Sequence, residues 1–151
     1  MRKTSLIICS LLGAVILVAA TKKEAPQNKI SLEGVWELKH QFLYENNEVL
    51  DTMYNLNGYR QVKMYSKNKV MWSRFSPVDT NEWFGYGTYR IVDGMLEERL
   101  EYASDAMMRI VDTVQVFRFE LEMTRDKKSY SQISLDAQGN RYNSENYDRI
   151  E

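Results

Sequence analysis

From Leu32 onward the chain alternates apolar and polar residues with a period of two, interrupted at short intervals by turn-forming residues. That period sends successive side chains to opposite faces of a pleated strand, so one face of each segment is apolar and the other polar. A helix instead requires apolar residues three and four apart, and no long stretch sustains that spacing beyond residue 31. The pattern dictates an all-β, antiparallel fold whose strands are joined by short turns.

Eight strands are expected, over residues 35–44, 59–66, 69–75, 83–92, 95–104, 113–124, 130–135 and 141–150. Lys67-Asn68 suits a tight hairpin, and Asp93-Gly94 is a stronger signal because both positions tolerate positive φ. Residues 45–58 read as a long polar loop closing at Asn57-Gly58. Residues 105–112 fit a loop, a bulged strand or one helical turn. Hairpin-length connections favour an up-and-down meander. Closing it into a barrel would remove the exposed sheet edges, although a sandwich satisfies the same alternation.

The first residues follow a different rule. Arg2 and Lys3 precede an uncharged, largely apolar run to Ala20 that ends in small residues. This is the pattern of a secretory signal peptide, and the run is shorter than the roughly 20 residues of a spanning helix. The expected organisation is a signal peptide at 1–20, a polar leader at 21–31 and one β domain at 32–151. Cleavage after Ala20 would give an exported protein, periplasmic or extracellular. Cys9 lies inside the apolar run, so the expected mature chain holds no cysteine and can use neither disulfides nor thiolate chemistry. It keeps 18 basic and 21 acidic side chains, a net charge of −3. That balance argues against a nucleic-acid partner and against adhesion to anionic membranes.

No catalytic constellation stands out. His40 is the only histidine, and with no thiol beside it a zinc, copper or haem site lacks ligands. It shares strand parity with Trp36 and Phe42, which suits a core or rim residue. Asp79-Thr80-Asn81-Glu82 lacks the glycine and distal glutamate of an EF-hand and reads as a polar turn. Glu97 and Glu98 point to opposite faces of one strand, so they do not form a facing carboxylate pair. No metal and no cofactor are expected.

Gly34-Val35-Trp36 opens the first strand, and Arg149 lies near the end of the last. This resembles the lipocalin arrangement of the calycin group, in which a Gly-x-Trp packs beneath an arginine from the closing end of a barrel. The stretches 82–89, 130–133 and 145–149 are similar to those of small exported lipocalin-like bacterial domains, largely of unknown function. The resemblance implies an eight-stranded up-and-down barrel, with Gly34, Trp36 and Arg149 in structural roles. It also implies a binding function for a small molecule.

Strand parity then picks out the interior. If Arg149 faces Trp36, Tyr147 and Glu145 also point inward, and an inward Glu145 and Gln132 need each other, water or a ligand. The expected pocket lining is Trp72, Arg74, Tyr86, Glu98, Phe119, Gln132 and Tyr147. Three functions fit. One is a non-enzymatic barrel holding a small, partly apolar ligand. Another is a filled barrel acting on a protein partner through the loops at 45–58 and 76–83. The third is an enzyme using carboxylate and tyrosine side chains.

Overall fold

The computed structural model describes residues 30–55 and 58–151. The expected signal peptide at 1–20, most of the leader, and Asn57 of the expected turn lie outside the described residues. The described chain is all-β apart from one short helix. Its strands are β1 (Gly34–Glu45), β2 (Glu48–Tyr54), β3 (Arg60–Ser66), β4 (Lys69–Phe75), β5 (Trp83–Val92), β6 (Met95–Ala103), β7 (Phe117–Met123), β8 (Ser129–Leu135) and β9 (Arg141–Arg149). The helix α1 (Asp105–Val111) follows β6.

The nine strands form one antiparallel sheet in the order β2-β1-β3-β4-β5-β6-β7-β8-β9, and β1 also pairs with β9, so the sheet closes on itself. The count of eight is therefore corrected to nine. The stretch 45–58, expected as a long loop, contains β2, which follows a two-residue turn at Asn46-Asn47 with φ of 53° and 64°. Both positive φ values match the turn that suits the twist of a hairpin. Glu37 pairs with Val62 of β3 on one side and Asp148 of β9 on the other; His40 pairs with Tyr54 of β2 and with Asn146 of β9. Hence β2 and β3 run end to end along the same edge of β1. The ring is eight strands around, with β2 as an arm that, among the described residues, is bonded to β1 alone.

One irregularity redirects β1. Leu38 pairs with Tyr147 and His40 with Asn146, leaving Lys39 as an extra residue. Such a bulge reverses the in-out alternation beyond it. Trp36 and Leu38 point inward, whereas His40 and Phe42 share the opposite face. This corrects the expectation that His40 and Phe42 lie beside Trp36. The His40 ring packs 4.7 Å from Phe42 and 6.1 Å from Tyr54.

The strand expected at 113–124 begins only at Phe117. Residues 112–116 are turn and irregular chain, and before them comes α1, which Ser104 caps by accepting from the Met107 N–H, with Asp105 in the first turn. Met107 and Val111, four apart on one helix face, pack against the core. Pairing between β6 and β7 covers only residues 95–98 and 117–120. Among the described residues the rest of β6 is unpaired on that side, and α1 packs against β5 and β6. Among the described residues no helix is long and apolar enough to cross a membrane.

Candidate functional site

The two ends of the ring differ in what fills them. At one end Trp36 is fully buried, and its indole N–H donates to the Leu32 carbonyl at 2.7 Å. The Arg149 guanidinium lies 4.2 Å from the Trp36 ring centroid and donates to the carbonyls of Glu33 (2.7 Å), Lys127 (3.2 Å) and Glu151 (3.3 Å). Gly34 sits beneath it with φ of 131°, and a side chain there would overlap the guanidinium. Gly34, Trp36 and Arg149 thus meet at one end of the ring. Tyr130 meets Trp36 edge-on at 4.8 Å and stacks on Tyr147 at 4.9 Å, carrying the aromatic column inward.

Beyond Tyr147 the interior becomes polar. Lys63 of β3 donates to both Glu98 carboxylate oxygens, at 2.9 and 3.1 Å, and to Gln132 Oε1 at 2.8 Å. Both ions of this pair keep only 4% of their side-chain surface exposed. Tyr65 also donates to Glu98, at 2.7 Å. Gln132 in turn donates to Glu145 Oε2 at 2.9 Å, and Tyr147 donates to the same oxygen at 2.6 Å. Gln61 donates to Glu145 (3.2 Å) and to the Tyr147 hydroxyl, and accepts from Arg74 Nε at 2.7 Å. Among the described residues every buried side-chain nitrogen and oxygen has a partner. That is the condition under which buried charges are tolerated. Burial holds the Tyr65, Tyr130 and Tyr147 hydroxyls well above the ordinary tyrosine range, and the nearby Glu98 and Glu145 carboxylates add to the effect.

This network is the floor of a cavity of about 280 Å³. Its walls are apolar, formed by Trp72, Trp83, Leu100, Phe117 and Phe119 of the strands with Met107 and Ile110 of α1. Gly85 leaves room for the wall, since a Cβ there would lie 2.9 Å from the Trp72 indole. Arg74 stands at the edge, its guanidinium carbon 5.8 Å from the Trp83 ring and 5.9 Å from the Tyr59 ring.

Of the residues expected to line a pocket, Trp72, Arg74, Glu98, Phe119 and Gln132 come together in this cavity. Tyr147 lies beneath it, buried, and reaches it through Glu145 and Gln61. Tyr86 does not belong. It pairs across β5 with Met71 and Tyr102, its ring lies 5.3 Å from Tyr102, and Lys69 covers it from outside. The physical reason is the pair Gly85 and Gly87, which occupy the inward positions of β5 and put Tyr86 on the outer face. The sequence reading missed Lys63, Gln61 and Trp83 in the site. It also missed the α1 roof, whose signal was the spacing of Met107, Ile110 and Val111. Asp79 serves a turn, accepting from the Asn81 N–H at 2.9 Å and from the Trp83 indole at 2.6 Å. Among the described residues no three acidic, histidine or cysteine side chains are grouped to hold a metal.

The fold and site define a closed antiparallel sheet that is plugged by aromatic rings at one end and hollow above a polar floor at the other. No protein-family model matches this chain, and no curated protein does. A solved structure, that of an uncharacterized protein from Bacteroides eggerthii DSM 20697, aligns over 80% of this chain and 100% of its own, at 13% identity and a TM-score of 0.49.

Proposed function

We propose that this protein is an exported, non-enzymatic, lipocalin-like barrel that holds one small, partly apolar molecule in the cavity between Trp72 and Phe119. A single observation carries the reading: a hollow of about 280 Å³ joins an aromatic wall to a fully bonded polar floor. Ligand sites combine these two elements, apolar surface for affinity and a few fixed polar groups for orientation. The volume suits one small ligand, as the interior of an eight-stranded barrel does. Support for the barrel type comes from the Arg149 guanidinium on Trp36 above Gly34. Support for export comes from the signal-like run at 1–20.

The test is native mass spectrometry of the protein purified from its own host, compared with the same sample after denaturation. A discrete extra mass lost on denaturation is expected. An apo mass after gentle isolation, together with failure to take up any small amphiphile, contradicts the reading.

A second reading rests on β2. Among the described residues this arm bonds to β1 alone, and it exposes Val49, Leu50, Met53 and Tyr54, each by 40–68%. Unprotected edge strands invite pairing with another chain. A protein retained by the native molecule, and lost when Leu50 and Tyr54 are replaced by serine, would favour this reading.

A further inference from the structure

The four charges around the cavity are unequally committed. Lys63 and Glu98 are deeply buried and bonded to each other twice. Glu145 receives three neutral donors on Oε2, from Gln132, Gln61 and Tyr147. Among the described residues its Oε1 accepts only from Arg74 Nη2, at the long distance of 3.3 Å. Arg74 spends Nε on Gln61, and Nη1 has no protein partner among the described residues. Its side chain is also the most exposed of the four, at 29% against 16% for Glu145.

Two further groups at the cavity point the same way. Ser134 and Asn143 line it from β8 and β9, and among the described residues neither side chain is bonded to protein. A guanidinium edge, an amide and a hydroxyl all donate, and together they match a planar oxyanion. The wall beside them is indole and phenyl surface.

The geometry points to an amphipathic carboxylate as the ligand class. Its anionic head takes the free edge of Arg74 with Ser134 and Asn143, and its apolar body lies between Trp72 and Phe119. This rests on the cavity being a ligand site. The Lys63–Glu98 pair beneath is spectator charge that stays paired.

Three probes that differ only in the head group test it: phenylbutyrate, phenylbutanol and phenylbutylamine, each titrated calorimetrically into the purified full chain at neutral pH. Phenylbutyrate should bind at least about tenfold more tightly than the alcohol, the size of one charge-assisted hydrogen bond. The amine should bind most weakly. In Arg74→Met the ratio of carboxylate to alcohol affinity should collapse towards one, while Arg74→Lys keeps it above one. If the alcohol or the amine binds the unaltered protein as tightly as the carboxylate, the anion inference is overturned and the cavity reading stands. If none of the three binds, the cavity reading falls and the inference with it.

Discussion

At the Trp36 end of the ring, shape does the work: rings packed edge to face and face to face exclude water, and the Arg149 guanidinium lies over the plug. At the Trp72 end, bonding does the work, because two cations and two carboxylates share an interior that remains hollow. A plug needs apolar volume and tolerates no gap. A floor for a ligand needs polar groups held still by one another, and it leaves a space above them. The same closed sheet provides both because successive inward positions on β9, Arg149, Tyr147 and Glu145, pass from one regime to the other.

The sharpest way to break this contrast is to damage each end in its own currency. Trp36→Ala removes the largest fully buried side chain and should cost about 3–5 kcal/mol in urea unfolding. Lys63→Met should cost a similar amount, about 3–5 kcal/mol, although it adds apolar surface, because it strands Glu98 without a counter-charge. The double change Lys63→Met with Glu98→Leu should then recover much of the loss. A Lys63→Met protein as stable as the parent would mean that the floor is not held by its ion pair.

Alkaline titration tests the seam between the two ends. Tyr65, Tyr130 and Tyr147 keep their protons in the fold at pH values above 10.0, where the unfolded chain releases them. The unfolded state then binds fewer protons, so stability should fall as pH rises past 10.0. Tyrosinate absorbance from these three buried rings should appear only together with loss of structure. A single smooth titration of all the tyrosines without unfolding contradicts the burial.

Smaller effects follow at the surface of each end. Gly34→Ala, at φ of 131° and against the Arg149 guanidinium, should cost about 1–3 kcal/mol. Tyr86→Ala should cost no more than about 1 kcal/mol, the scale of one cross-strand pair. It should leave phenylbutyrate affinity unchanged, because the ring faces away from the cavity. Lost affinity in Tyr86→Ala would reopen its exclusion from the site.

The plug was more legible in sequence than the floor. Trp36 and Arg149 stood at the two ends of the domain with the right parity. The inward run Glu145, Tyr147, Arg149 followed from that parity; it left Glu145 and Gln132 needing each other, water or a ligand, and the structure supplies the bond between the two. Lys63 and Gln61 stayed hidden because β3 inverts the usual rule, pointing Gln61 and Lys63 inward while Val62 and Met64 face out. Hydropathy reads such a strand with the wrong face inside, and only the inward Tyr65 beside them betrays it. β2 left no trace because both of its faces are largely exposed, so no alternation was selected. The bulge at Lys39 is a register event with no residue signature, and it alone displaced His40 and Phe42.

The central claim is that binding belongs to one end of the ring alone, and the three tryptophans report on the two ends separately. Trp36 lies in the plug, while Trp72 and Trp83 line the cavity. The most direct measurement follows the three indole N–H resonances of a nitrogen-labelled protein during titration with phenylbutyrate. The account predicts that the Trp72 and Trp83 signals move with one common affinity and that Trp36 stays fixed. Movement of Trp36 alone, or saturation binding that leaves all three in place, would contradict it.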